Sequence, residues 1–580
     1  MELWHRREIL TLKIMHMKKL IIHFFAIALV SGLLAGCKKG FLDRAATTQQ
    51  QDIDIFTNFT MTDQVVSNLY SRIRGPYTYL GGYSMSAASD EAKDASAWMA
   101  SQTFNNGSWN ATTIGNTWRE NYVAIRQANT ILENVVKYNT PDDPNNPGTL
   151  ENRIGEVYFL RAWFLAELIK QFGGVIIVTK TMDQTDEAAL TRPRNSYDSC
   201  VGQILADCDE ALRRLPYSYP PTQVGRVTKG ACLALKARAL LYAASPLWAV
   251  AGKTGFQGDI SSSASATDPE KWRRAAAAAK AVIDLNNNGN TVYRLEPTLA
   301  ARKQLFISTT LTSSEVIFER MRETDQAMDR YLFPFGNSGW SGCAPTQNLV
   351  DAYEMDNGYP ISDPASGYND ARPYEHRDPR FYQDILYNDA AFKGRKIETF
   401  SGGKDALSTD VDHTRTGYFA RKLIDENITP SQSSSVRQVH GIIFRLAEFY
   451  LNYAEALNEA EPGHADILSS VNAIRQRAGM PALPSGLSQA DMRQRIRNER
   501  RIELAFENHR FWDVRRWKIA EQTEKAIWGL QAIKDDTAPG GFRYERFKVE
   551  DRPWRNPMYV IPITVDETLR NPNLVQNEGW

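Results

Sequence analysis

Gly155 to Phe172 is apolar on nearly every face and ends at Gly173-Gly174. A helix with no polar side cannot stand at a surface, so this segment predicts an interior helix that others must sheathe. Ile443 to Glu459 predicts a second. Its polar residues Glu448, Asn452, Glu455 and Glu459 recur at spacings of four, three and four, which reads as one wet stripe on an otherwise buried helix. Candidate covering helices are Ser196–Leu215, Lys229–Ala244 and a helix opened by Asp268-Pro269 and running to Leu285, with the Asp as N-cap and the Pro in the first turn.

These segments share an order: a buried helix with small and aromatic residues, then a more polar one carrying Ala. Residues 446–457 followed by 465–477 form the clearest pair; 159–170 with 197–212, and 233–243 with 272–284, repeat it. Small residues let two helices approach closely, as in tetratricopeptide pairs of about 34 residues. The expected fold class is mainly α: a tetratricopeptide-like helix-pair superhelix with a loop-rich, irregular α+β insertion subdomain. A plain helical bundle is the alternative. Length alone would suggest about three or four domains. The pattern instead predicts one body over 37–580, with a helical scaffold at about 60–75, 116–286 and 441–520 and loop-rich parts at about 76–115 and 287–440.

The N-terminus sets the compartment. Met17-Lys18-Lys19, the apolar run Leu20–Leu34 and the small residues before Cys37 make a secretory signal. Residues 1–16 do not fit such a signal, and Met17 is the expected true start. Leu34-Ala35-Gly36-Cys37 resembles the bacterial lipobox, in which the cysteine is acylated and becomes the first mature residue. Removing 1–36 leaves 544 residues with 63 basic and 66 acidic side chains, a net charge of −3. Such a balance gives no footing for a nucleic-acid partner. The remaining cysteines, Cys200, Cys208, Cys232 and Cys343, show neither metal nor disulfide spacing and are expected to be buried thiols.

No cofactor, metal or nucleophile motif occurs at a sensible position. Glu499, Glu503 and Glu507 project from one helix face among arginines. A glycosidase needs two carboxylates on opposite sides of a sugar, so these predict a salt-bridged structural helix. Aromatic residues are abundant: 13 Trp, 24 Tyr and 24 Phe. Those at helical spacing, such as Trp118, predict core. Those among Gly, Asn and Ser in the long loops predict ligand contact by stacking on sugar rings. The candidate ligand-binding residues are Tyr83, Trp98, Asn105, Asn106, Trp109, Arg330, Tyr331 and Trp340.

The chain resembles the SusD/RagB nutrient-binding outer-membrane lipoproteins of Bacteroidetes from Cys37 to its end. The resemblance rests on Cys37-Lys-Lys-Gly-Phe-Leu-Asp43, Ala88-Ser-Asp-Glu91, Phe159-Leu-Arg-Ala162, Phe172-Gly-Gly-Val175, Gly225-Arg-Val-Thr228, 445–456, 472–479, Glu499-Arg-Arg-Ile-Glu503, Ile561-Pro-Ile563 and 571–580, in that order. It implies non-catalytic capture of a glycan, or alternatively a peptide or other nutrient, at the cell surface. It also implies a SusC-like TonB-dependent transporter as partner and a membrane tether through the lipid on Cys37. Lys38-Lys39 after the cysteine replaces the acidic residues often associated with surface export in these bacteria. Radiolabelled palmitate is expected to label the protein in its host and not a Cys37→Ser variant; an unlabelled wild type would contradict the lipobox reading.

Overall fold

The computed structural model describes residues 15–20, 51–77, 79–80, 84–115, 117–249, 268–310, 313–323, 326–430 and 439–580. Cys37 and Tyr83 lie outside the described residues, as does most of the signal segment. The chain divides into two units, 1–58 and 59–580. In the first, residues 15–20 and Asp52–Phe56 are short helices.

Among the described residues of the second unit, the array is built from the helices α1 (Phe59–Tyr70), α2 (Thr117–Lys137), α3 (Thr149–Phe172), α4 (Tyr197–Arg214), α5 (Lys229–Ala244), α6 (Pro269–Ile283), α7 (Leu446–Ala460), α8 (Ala465–Arg477), α9 (Gln489–Glu503) and α10 (Arg510–Arg516). From α2 to α8 each helix packs on the one before it. That is a quasi-one-dimensional array of helix pairs and not a closed bundle. α6 and α7 pack as neighbours although about 160 residues separate them, so the second loop-rich stretch is spliced into the array without breaking it.

Local chemistry explains most boundaries. Ser196 and Asp268 cap α4 and α6 by accepting from Ser199 N and Glu270 N at 3.1 Å each. Gly173 ends α3 at φ 81°, a conformation that favours glycine. Gly155 sits at the α3–α4 crossing, where a Cβ would lie 2.9 Å from the Arg214 side chain. The four cysteines beyond Cys37 are buried thiols.

Three expectations change: the start of α7, the wetness of its stripe, and the placing of Glu507, which lies beyond the helix that carries Glu499 and Glu503. Residues 443–445 belong to a strand, Val439–Arg445, which pairs antiparallel with Val316–Glu323, so α7 begins at Leu446. The stripe on α7 is dry. Glu448, Asn452 and Glu455 are buried, and arginines from neighbouring helices meet the stripe: Arg238 on Glu448 at 2.5 Å, Arg500 on Asn452 at 2.6 Å, Arg516 on Glu455 at 2.6 Å and Arg493 on Glu459 at 2.6 Å. Burial alone would push the Glu455 carboxyl up, but Arg516 and its neighbours outweigh this and hold it at about 2.

The same chemistry fastens the insertion. Glu503, at the end of α9, receives Arg477 at 2.6 Å, Arg445 at 2.8 Å, Arg302 at 3.2 Å and Arg380 at 3.3 Å. Arg302 and Arg380 come from the insertion, Arg477 from α8, and Arg445 from the end of the strand that leads into α7. Glu499 joins Arg380 at 2.5 Å and Arg475 at 3.0 Å. Glu507 lies beyond α9, in a turn where Phe506 and Asn508 have positive φ, and takes Lys422 and Arg445 at 2.6 Å each. Burial would raise the Glu503 carboxyl; Arg302, Arg477, Arg445 and Arg380 together hold it well below the usual carboxylate range.

Removing one partner from such a cluster leaves the others charged and uncompensated, at a cost of about 3–5 kcal/mol. Glu503→Gln is expected to lose that much in urea unfolding at pH 7. A carboxyl with a lowered folded value contributes stability above its unfolded value, about 4.3. That stability disappears as pH falls below about 4, so the gap between wild type and Glu503→Gln should narrow there. An unchanged midpoint at pH 7 would contradict the anchoring role.

Candidate functional site

Three loops meet where the two aromatic-rich stretches of the sequence come together. The first follows β1 (Ala92–Lys93). It pairs antiparallel with Ala344–Pro345, Ala92 opposite Pro345 and Lys93 opposite Ala344. The second turns back on the helix Gln326–Leu332: Trp340 N donates to Arg330 O at 2.7 Å, Gly342 N to Tyr331 O at 2.6 Å and Ser341 N to Phe333 O at 3.0 Å. Gly342 is required by this close return, since a Cβ there would lie 2.0 Å from the Tyr331 ring.

Asp94 locks these two loops together. Its Oδ1 accepts from the Tyr331 hydroxyl and from Cys343 N at 3.1 Å, while its Oδ2 accepts from Ser101 Oγ. Burial pushes the carboxyl above its usual range even though these three donors favour the anion. The third loop, 405–416, is tied to the first by Arg415, whose Nε donates to Ala95 O at 2.6 Å. Asp405 ties it to the second, accepting from Gly336 N at 3.1 Å and from Arg395 at 2.6 Å.

On this frame several side chains point outward. Trp98 is 66% exposed. Trp340 is half-buried, with the Arg330 guanidinium stacked 5.0 Å from its ring centroid. Phe335, 44% exposed, stacks on His413 at 4.1 Å, and the His413 ring donates through Nδ1 to Ala406 O at 3.0 Å. Asp412, on the same loop, feels Arg330 and His413, but partial burial raises its carboxyl overall. Exposed rings beside a guanidinium, an imidazole and a carboxylate can stack on an apolar sugar face and bond its hydroxyls.

The structure divides the predicted site residues. Trp98, Arg330 and Trp340 stand on the two loops that Asp94 ties together, and Arg330 and Trp340 touch each other. Tyr331 is buried, its hydroxyl spent on Asp94. Trp109 is 1% exposed and packs between Phe104 at 5.3 Å and Trp580 at 4.8 Å, so it is core. Asn105 is buried and donates to Ala87 O at 3.0 Å. Asn106 is exposed, but its Oδ1 serves a local turn by accepting from Ser108 N at 2.9 Å. His413, Asp412 and Arg415 were not singled out. They reach the face from a loop about 75 residues beyond Trp340 in the chain, and nothing in their spacing announces it. Phe335 stood in the right segment without a mark to separate it from the buried Phe333.

Comparisons with known proteins agree with this architecture. A family model described as the SusD family matches residues 314–580, and one described as "Starch-binding associating with outer membrane" matches 40–241. SusD-like protein P2 of Formosa agariphila is 26% identical over 479 residues, 79% of each chain. A SusD-like protein from Bacteroides fragilis is 28% identical with a TM-score of 0.76, covering 92% of this chain and all of that one. A SusD-like carbohydrate binding protein from the same species is 24% identical with a TM-score of 0.72, covering 90% and 100%. Among the described residues, no helix is long and apolar enough to cross a membrane.

Asp94→Ala should free both loops at once. Amide exchange is expected to rise about tenfold or more in 95–101 and in 333–343 together, consistent with about 2 kcal/mol lost with charged hydrogen bonds. Exchange in α7–α9 should stay unchanged. Loosening of one loop without the other would contradict the locking role.

Proposed function

The chain belongs to the SusD/RagB family, and from that premise we propose that it captures a glycan without chemical turnover and passes it to a TonB-dependent outer-membrane transporter. The observation that carries the reading is an exposed Trp98 on one loop and an Arg330–Trp340 stack on another, the two loops being fastened together by Asp94. An indole two-thirds exposed on a locked frame gains from covering its face, and a pyranose ring offers an apolar face of suitable size. Pre-organised loops lose little entropy on binding. The carbohydrate-binding relative from B. fragilis supports a glycan as ligand, and the outer-membrane description of the matching family supports the location. The tether is assigned to Cys37 and the working face to the extracellular side.

Isothermal titration against neutral and acidic glycans and a peptide mixture, with product analysis of the same samples, tests the reading. Saturable glycan binding without new reducing ends is expected. Trp98→Ala and Trp340→Ala should each weaken it about tenfold, since one base- or ring-stacking contact contributes about 1–3 kcal/mol, with unchanged circular dichroism. Normal binding by both variants would move the site elsewhere. Product formation would overturn the non-catalytic assignment, and binding of peptides alone would replace the ligand class.

A further inference from the structure

A concavity of about 480 Å³ lies on the helical array among α2, the segment 176–190 and the C-terminal residues 567–574. Its chemistry differs from that of the aromatic loops. The floor is apolar, built by Trp118, Val123, Ile176, Met182, Leu190 and Leu574. The backbone beneath is already satisfied: the Ile176 carbonyl accepts from Tyr122 Oη at 2.7 Å, and the Val178 and Lys180 carbonyls accept from Asn129 Nδ2 at 3.1 and 3.2 Å. Of the uncharged polar side chains on the lining, Tyr122, Thr181 and Asn571 are likewise engaged, on Ile176 O, Glu133 and Arg192 O, which leaves Gln184. The walls are fixed, because Asn571 and Asn573 donate to Arg192 O at 2.9 Å and Thr191 O at 2.7 Å and hold the C-terminal segment against the 176–190 side.

The rim is cationic. Arg119, Arg126, Lys180 and Arg570 stand on it against one carboxylate, Glu567, which already pairs with Arg570 at 3.1 Å. Arg126 and Lys180 are both exposed, and among the described residues neither side chain has a carboxylate partner. Most charged groups elsewhere in the array are paired, so this excess of positive charge around an apolar floor is a local departure. Val123 and Leu190 are also exposed, at 41% and 43%. A volume of this size suits a small ligand. A neutral apolar guest would leave the cations without a role, and a polyol would leave the floor without one.

We infer that this groove binds a single-chain anionic amphiphile: an apolar body against the α2 and 176–190 walls, and a carboxylate or sulfate head at Arg126 and Lys180. This site is separate from the glycan face and stands or falls without it.

Titration calorimetry of the purified protein with dodecanoate, dodecan-1-ol and dodecyltrimethylammonium, each below its micelle concentration, tests the inference. Methyl NMR of labelled Met182 follows the same titrations. One dodecanoate per chain is expected, binding at least tenfold tighter than the alcohol and tighter still than the cation, with a saturable Met182 shift. Arg126→Gln combined with Lys180→Gln, both exposed and remote from the core, should lose tenfold or more. Leu190→Asp should abolish binding with the fold intact. Equal binding of the three head groups, an unaffected double variant, no saturable binding, or displacement of dodecanoate only by an acidic peptide would each overturn it. Loss of glycan binding in Trp98→Ala leaves this result unchanged, so the two sites are tested independently.

Discussion

One buried carboxylate organises this protein. Glu503 gathers four guanidiniums: Arg477 from α8, Arg302 and Arg380 from the insertion between α6 and α7, and Arg445 from the strand end that leads into α7. The pairs Arg380–Glu499, Lys422–Glu507 and Arg475–Glu354 fasten the same inserted stretch beside it. Taking an ion out of water costs several kcal/mol, and only dense pairing offsets that. The chain meets this condition by surrounding each buried carboxylate of α7 and α9 with arginines, whose fixed fork of donors can bridge two segments at once. Arg445 does so in both directions, touching Glu315, Glu503 and Glu507.

Anchoring the insertion has a functional consequence. The aromatic loops belong to different parts of the chain, around residues 95, 335 and 413, and the proposed binding face requires all three to hold their places. Asp94 and Asp405 provide the last links in that chain of restraints. The scaffold supplies stiffness through helix packing, the ionic cluster transmits it to the insertion, and the carboxylates at the rim pass it to the loops. Trp98 and Trp340 can then stay outward without collapsing into a core, as free indoles otherwise tend to do.

Helices were the most legible part of the sequence. α5 begins and ends where composition and caps placed it, and the array follows from the alternation of buried and polar helices. The α7 stripe shows the limit: four polar residues at helical spacing mark a face, but only the partners opposite decide whether it is wet or ion-paired, and those arginines lie up to about 200 positions away. The family resemblance and the fold agree for the same reason, since its motifs are largely these core and ionic residues. Loop aromatics were harder. Trp109 and Trp98 share a neighbourhood of Gly, Asn and Ser, yet Trp580 closes over Trp109, and nothing local foretells a partner nearly 500 residues on. Tyr331 was hidden in the same way by Asp94.

Two kinds of indole are therefore distinguished: Trp109, buried in the core, and Trp98 and Trp340, at the proposed binding face. Fluorine NMR of the protein labelled with 5-fluorotryptophan, with Trp98, Trp340 and Trp109 resonances assigned by single Trp→Phe variants, distinguishes them in one titration. Addition of a bound glycan should shift the Trp98 and Trp340 signals in a saturable way and leave Trp109 in place. Saturable shifts elsewhere with Trp98 and Trp340 unmoved would contradict the proposed binding face.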